Sequence, residues 1–401
     1  MNNERIFLDN AAWGMPRERV LDCATTFTDL FRDPTKTTRD ITLAGRAWVR
    51  EARAAVGKLI NCGADEVALV ESTSHALALA ANMIPLTAED NVLVCDLEYQ
   101  ASTLCWLALQ NEIGFEIREV KTQNAEVTCE DFRRCMDEHT KVILLAGVQE
   151  INGYRADVKE IAAMAKANNC YIIVDGAQEV GAMPVDVKEL GIDIYCATGK
   201  KWLCNPFGTG ILYVRKELLS QFEPKAYGYY NIVVPPQYDV YTSYLEDPKR
   251  HPFDPVTIVT EAHKFEHGGF ANLLGAKGLA TAIECILEVG PQAIHEKILG
   301  MNEKLTKGLA AMGIDTCSPK DRAHMASIIS FNFGLENNNV DRERELIQFL
   351  REKNIFVSLR CCTGTGGIRV SFHYYTPEYF IDIFLDAVKE YLELHPEVIK
   401  K

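Results

Sequence analysis

Short runs of β-branched and other apolar residues recur through the first half of the chain, at 66–70, 91–95, 114–120, 142–146 and 171–174. Between them lie segments in which apolar positions follow the helical period, at 74–83, 102–112, 129–138 and 157–168. Strands this short, separated by helices, predict βαβ crossovers and a mostly parallel sheet, because a parallel return needs a helix-length connection. Two further runs, 194–197 and 210–214, are flanked by glycine and predict a paired hairpin. The first 50 residues hold helical stretches but no strand run, and are expected to wrap the outside or reach a partner.

Residues 221–250 break the pattern. They carry six tyrosines, Tyr227, Tyr229, Tyr230, Tyr238, Tyr241 and Tyr244, and four prolines, Pro224, Pro235, Pro236 and Pro248, without a sustained period. A segment of this kind inside a compact domain is usually a functional loop, and tyrosine suits an interface. Helical spacing returns at 275–289 and 293–312, with Gly275 and Gly278 as points of close helix packing. Strand-like runs follow at 326–333 and 355–359, then a last helix near 381–392. The fold class is α/β, with a smaller α+β domain from 273 to 401.

Composition narrows the functional classes. The 401 residues are 47% apolar and 24% charged, which excludes a disordered or fibrous chain. Lys and Arg total 42 against 56 Asp and Glu, so the net charge is −14 and a nucleic-acid partner is not expected. The 13 cysteines are odd in number and none falls at C-x-x-C spacing, so no zinc knuckle, dithiol centre or other metal site is expected. The start of the chain lacks a signal-peptide pattern, and no apolar run approaches the roughly 20 residues of a membrane helix. No membrane partner is expected, and the reading is a cytoplasmic protein with reduced thiols.

The sharpest chemical signal lies between residues 171 and 214. The apolar run YIIV ends in Asp175, followed by Gly176, Ala177 and Gln178. Ligands of open α/β sheets bind beyond the carboxyl ends of strands, where a carboxylate could hold a protonated ring nitrogen. An Asp in that place serves more often as a turn or helix cap. After the next run, IYCA, come Thr198, Gly199, Lys200, Lys201 and Trp202. Two lysines there read either as a solvated turn or as a desolvated amine suited to Schiff-base chemistry, and the two cannot both enter one small pocket. Upstream, Glu71, Ser72, Thr73, Ser74 and His75 open a helix after EVALV, which is either an ordinary cap or a phosphate site.

The segment VDGAQEVGAMPVDVKELGIDIYCATGKKWLCNPFGTGILYV resembles the class V aminotransferase family of fold-type I pyridoxal-phosphate (PLP) enzymes. The likeness extends from LDNAAWG near the start to GIRVSFHYYTPEYFIDIFLDAV near the end. Its most specific part is the Asp-x-x-Gln and (Ser/Thr)-Gly-x-Lys-Trp pair, whose Asp and Lys are 201 − 175 = 26 residues apart. The resemblance implies a large PLP-binding domain over 26–272 with a mostly parallel seven-stranded sheet covered by helices. A small domain over 273–401 and an N-terminal segment, 1–25, joining it complete the expected layout.

Residue by residue, the resemblance implies that Lys201 forms the Schiff base and Asp175 pairs with the pyridinium nitrogen. Gln178 would donate to the phenolic oxygen, and Thr73, Ser74 and Thr198 would hold the phosphate, with the N–H of His75 added. Tyr99, in the place of the family's stacking histidine, would lie over the ring, and Arg369 would bind the substrate α-carboxylate. Three departures stand out: Lys200 replaces a histidine and could reach the phosphate; Glu150 (or Gln149) stands where Asn is usual; and Gly268-Gly269 replaces the Gly-Thr of the partner-subunit phosphate loop. The implied partners are a second copy of the chain with shared active sites, a small amino acid and a 2-oxo acid. Only eight residues, CCTGTGGI, separate Arg360 from Arg369, so Cys361 and Cys362 lack the long loop of the desulfurase branch. Transamination is therefore the leading reading, with C–S cleavage (desulfurase or selenocysteine-lyase-like) or epimerisation as alternatives.

Overall fold

Apolar residues in the central strands alternate between two buried layers, which explains why both faces of the sheet carry helices. The computed structural model describes residues 4–235, 244–266, 268–269, 271–335 and 339–398. After a two-residue β1 (Ile6–Phe7), the large sheet contains β2 (Val67–Val70), β3 (Asn91–Cys95), β4 (Glu116–Val120), β5 (Thr140–Ala146), β6 (Tyr171–Asp175), β7 (Ile194–Thr198) and β8 (Gly210–Val214). It has seven strands, as the resemblance implied, and they run in the order β2-β8-β7-β6-β5-β3-β4. β8 is antiparallel to both neighbours; the pairs from β7 to β4 are parallel.

Leu93, Ile143, Leu145, Ile172 and Val174 join one core, whereas Val92, Val94, Val142, Leu144 and Ile173 join the other. Two-sided burial of this kind is what a parallel sheet requires. Helices α1 (Glu18–Arg32) and α2 (Thr38–Ile60) precede β2, and α2 starts at a reciprocal capping box between Thr37 and Asp40. α3 (Thr73–Met83) and α4 (Gln100–Ile113) cover one face through Ala76, Leu77, Ala80, Trp106 and Leu109. α5 (Val158–Ala167) covers the other through Ile161, Ala162 and Ala165. β3 lies between β4 and β5, so the chain reverses its direction across the sheet there and opens a crevice at the strand ends.

The C-terminal part holds β9 (Ile328–Phe331), β10 (Ile355–Phe356), β11 (Ser358–Cys362) and β12 (Thr365–Ser371), with helices at Leu273–Val289, Pro291–Ala311, Asp341–Glu352 and Tyr379–Leu394. β11, β12 and β9 form an antiparallel sheet, and β10 pairs in parallel with β1. Two expectations need correction here. The first 50 residues do contain a strand, β1, too short for an alternating pattern to register. The expected single strand at 355–359 divides at buried Val357, because its two halves pair with different partners. Arg369 lies inside β12, opposite Ser358 and Ser330.

The pair at 194–197 and 210–214 does join antiparallel, but across an eleven-residue excursion, 199–209, rather than a tight turn. Gly275 and Gly278 press against that excursion: a Cβ would lie 2.7 Å from Thr209 Cγ2 at the first and 2.5 Å from Asn205 Oδ1 at the second. The irregular character of 221–250 holds where described; Pro236, Tyr238 and Tyr241 lie outside the described residues. Among the described residues, no helix is long and apolar enough to cross a membrane.

The last helix is pinned by Phe384, fully buried with its ring 6.3 Å from that of Phe331. Phe384→Ala should lower stability by about 3–5 kcal/mol, read as a lower urea midpoint; an unchanged midpoint would show that the helix is not part of the cooperative core.

Candidate active site

Five strand ends deliver side chains to one cavity at the sheet's carboxyl edge. Beyond β2, Ser72 caps α3: its Oγ accepts from the His75 N–H at 3.1 Å. The first N–H groups of a helix have no partner within it, so those of Thr73 and Ser74 remain for a ligand. Gly210 lets β8 run beneath this turn, since a Cβ there would lie 2.6 Å from the Ser72 carbonyl carbon. Thr198 ends β7 nearby, buried, with its Oγ1 donating to the Thr209 carbonyl at 3.4 Å.

Asp175 ends β6 and is buried. Its Oδ2 accepts from Ser102 Oγ at 3.2 Å and its Oδ1 from the Ala177 N–H at 2.9 Å. Burial raises its pKa, while these bonds and Lys201 oppose the shift. Burial also lowers Lys201 to about 8, against the upward pull of Asp175 and Glu150. The Lys201 Nζ lies 5.7 Å from the ring centroid of half-exposed Tyr99. Gln178 is fixed on both sides, accepting from Trp202 Nε1 at 2.9 Å and donating to the Ala11 carbonyl at 3.2 Å. One amide hydrogen is left.

The turn that carries Lys201 is held from below. The Gly14 N–H donates to the Lys200 carbonyl at 3.0 Å, and a Cβ on Gly14 would lie 1.9 Å from the Lys201 oxygen. His373 is buried and burial lowers it to about 4, so it is neutral. Its Nδ1 accepts from the Tyr374 N–H, which leaves Nε2 to donate to the Trp202 carbonyl at 2.8 Å. Lys200 points elsewhere: it is exposed, with its Nζ 5.2 Å from the Trp13 ring centroid, although it still borders the cavity.

Arg369 is 1% exposed and faces two carboxylates. Its NH1 donates to Glu150 Oε2 at 3.0 Å and to the Glu150 carbonyl at 3.1 Å, and its NH2 to Asp9 Oδ1 at 3.3 Å. Glu150 is thus turned toward a cation. Its neighbour Gln149 is buried against Glu98, whose carboxyl is pushed up to about 8 by burial.

The cavity therefore gathers Thr73, Ser74, Tyr99, Glu150, Asp175, Gln178, Thr198, Lys200, Lys201 and Arg369. It does not gather His75, whose N–H is taken by the cap and whose ring pairs with Glu71. Gly268 and Gly269 line a different cavity of the same chain, beside His75, Tyr227 and Phe265. Sequence reasoning missed Ser102, Asp9 and Arg360. Ser102 lies 73 residues from Asp175 in sequence, and nothing local marks a serine in a first helical turn as its donor. Helix N–H groups and hydroxyls, a buried carboxylate and a lysine with a depressed pKa, all lining one cavity, fit a phosphorylated, nitrogen-containing aromatic aldehyde.

Cys361 and Cys362 stand on the β11–β12 hairpin, closed by the pair Cys362↔Thr365 around Thr363 and Gly364, at φ 44° and 76°. Positive φ at both central residues is the tight hairpin turn whose twist matches the strands. Both cysteines line a groove that shares Tyr99 and Glu150 with the cavity.

Lys201 with a pKa near 8 should react with a small aldehyde plus reductant at a rate that rises with pH through about 8 and levels off roughly one unit above it, well before an ordinary lysine. Asp175→Asn should move that midpoint down, because the lost carboxylate favoured the ammonium. A midpoint near that of exposed lysines, by mass-spectrometric peptide mapping, would disprove the desolvated environment.

Comparison with known proteins agrees with this architecture. The family model for aminotransferase class-V matches residues 6–384. A probable cysteine desulfurase of Ureaplasma parvum is 25% identical over 97% of this chain and 94% of its own length. A cysteine desulfurase of Yersinia pseudotuberculosis is 28% identical over 83% of this chain and 79% of its own. Among solved structures, the apo cysteine desulfurase of Thermococcus onnurineus superposes with a TM-score of 0.84 at 23% identity, covering 98% of this chain and 95% of that one. The chain belongs to the class-V aminotransferase family, whose enzymes depend on pyridoxal phosphate.

Proposed function

We propose that the protein is a pyridoxal-phosphate enzyme that cleaves the C–S bond of a sulfur-containing α-amino acid. This replaces transamination as the leading reading. What carries it is the meeting of Lys201, Asp175 and the α3 N-terminus in one cavity, in a chain whose curated relatives include cysteine desulfurases. The sulfur-bearing substrate comes from those relatives; the residue roles are those the resemblance implies, supported by the gathering of these residues in one cavity.

When bound, the cofactor supplies an aldehyde for the substrate amine and a ring that withdraws electrons from Cα. The N–H groups of Thr73 and Ser74, with their hydroxyls and that of Thr198, bind the phosphate at the positive end of α3. Asp175, held by Ser102 and the Ala177 N–H, pairs with the protonated ring nitrogen. Gln178 offers its remaining N–H to the phenolic oxygen, and Tyr99 gives one aromatic face. Lys201, neutral in a larger fraction than an exposed lysine, takes and returns the proton at Cα. Arg369 receives the α-carboxylate, because a planar fork fixes rotation about the bond to be broken.

The thiolate of Cys361 or Cys362, both in the neighbouring groove, would attack the substrate sulfur, so that the S–S bond forms as the C–S bond breaks and its electron pair stays with carbon. Transamination with a 2-oxo acid keeps one observation in its favour: the registered β11–β12 hairpin is not a long loop able to carry a thiol across the site. Incubation of the holoenzyme with L-cysteine and L-cystine should release sulfide or sulfane sulfur together with alanine or pyruvate. Pyridoxamine phosphate that accumulates without sulfur release, and is reversed by a 2-oxo acid, would overturn C–S cleavage. Lys201→Ala should abolish turnover while leaving the fold.

The pair Gly268-Gly269, which lines a different cavity from Lys201 within one chain, fits a role in the site of a second copy. Sedimentation should therefore give a dimer, and a fully active monomer would refute the shared site.

A further inference from the structure

We infer that Arg360 binds a second carboxylate, one carried on the substrate's side chain, so that the site favours α-amino acids with an acidic side chain over neutral ones. The inference deepens the proposed reading of the cavity and rests on the α-carboxylate role of Arg369.

The β11–β12 ribbon puts two guanidinium groups on one face. Arg369 stands opposite Ser358, and Arg360 lies two residues further along β11, opposite Gly367. Directly paired residues of antiparallel strands share a face, as do residues two apart along one strand. Arg360 is therefore the diagonal neighbour of Arg369, with their Cβ atoms roughly 7 Å apart. Its own cross-strand partner, a glycine, puts no side chain over it. Both arginines border the cavity that holds Lys201.

The two differ in what they already hold. Arg369 meets the Glu150 carboxylate and carbonyl through NH1, and Asp9 through NH2. Its Nε has no partner and NH2 keeps a second hydrogen, which together form an edge for the α-carboxylate. Half-buried Arg360 donates from NH1 to the adjacent Leu359 carbonyl at 2.7 Å. Among the described residues it has no carboxylate partner, and the edge formed by its Nε and NH2 is whole. Two parallel N–H groups of that kind fit a carboxylate bidentately.

The acids around the cavity are engaged elsewhere. Asp175 acts on Lys201, while Asp9 and Glu150 both pair with Arg369. Asp9 Oδ1 also accepts from Ser358 Oγ at 2.8 Å. Lys200 is the other cation of the lining without a carboxylate, and its ammonium lies over the Trp13 ring. Burial and the nearby Arg360 charge lower the Arg369 pKa, against the upward pull of Asp9 and Glu150. A ligand that brings one carboxylate to each arginine relieves this repulsion at both ends, whereas a monocarboxylate leaves Arg360 uncompensated.

Amine-free probes separate this grip from any reaction at Lys201. Calorimetry on the holoenzyme gives affinities for succinate and glutarate, to be compared with their monoamides, succinamate and glutaramate. Each monoamide keeps nearly the same shape with only one charge. In the wild type at least one diacid should bind about tenfold more tightly than its monoamide. Arg360→Gln should bring that ratio below about twofold, and Arg360→Lys should keep part of it, as a point charge lacking the fork. Arg369→Ala should weaken diacids and monoamides alike. No preference for either diacid in the wild type would overturn the inference. So would a preference that survives Arg360→Gln, or one that is lost in Lys200→Gln instead. If Arg369→Ala leaves the monoamides unaffected, the α-carboxylate role of Arg369 fails, and this inference with it. Sulfur release from L-cysteine tests C–S cleavage independently of these ratios, and melting temperatures identify a variant that has not folded.

Discussion

The site depends first on the register of β6 against β7. Asp175 stands opposite Cys196, so β7 continues beyond the end of β6 and its loop begins just past the buried carboxylate. A slip of one residue would turn Asp175 to the other face of the sheet, since strand side chains alternate. That register is secured on both faces, by Val174 in one core and Ile173 with Ile194 in the other. The position of Asp175 is thus a by-product of hydrophobic packing on both faces of the sheet.

Burial then gives the collected groups their chemistry. Water would keep Asp175 an ordinary carboxylate and Lys201 an ordinary ammonium. Desolvation moves each toward its neutral form, and their mutual attraction limits how far either goes. The same environment makes hydrogen-bond partners obligatory, which accounts for Ser102 at Asp175 and for the double anchoring of Gln178. Arg369 joins segments around Asp9, Glu150 and β12, so one guanidinium ties the chain's start, the loop after β5 and the C-terminal sheet to a single wall. Removing it would leave two carboxylates facing each other there.

The hairpin bearing Cys361 and Cys362 shows how one fold can hold several reactions. The groups proposed to hold the cofactor belong to the large sheet, whereas Cys361, Cys362, Arg360 and Arg369 come from the C-terminal part. In this chain that part offers a tight two-residue turn with both thiols in a side groove, and a second guanidinium, Arg360, at the cavity edge. Reach and orientation of these groups, rather than the ring chemistry they share with relatives, distinguish the possible outcomes.

The sequence alone determined much of the large sheet, because alternating and helical periods are local signals: β3 was bounded residue for residue, and most helices within a turn of their ends. Asp175 and Lys201 were legible for a related reason, since each follows an apolar strand where a charge is out of place, and their spacing matches a family pattern. Tertiary structure alone decided the rest. β1 is too short to carry a period and exists only because β10 lies beside it. The cap that removes the His75 N–H, the exposure of Lys200 and the Ser102 bond are pairings whose local sequence permits several partners. Arg369 is the clearest case: its sequence neighbourhood suggests a fork waiting for a ligand, but hydrogen bonds to Asp9, 360 residues away, and to Glu150, 219 away, set its state. Charge pairing across such separations follows from where the folded chain brings the carboxylates, and no local pattern encodes it.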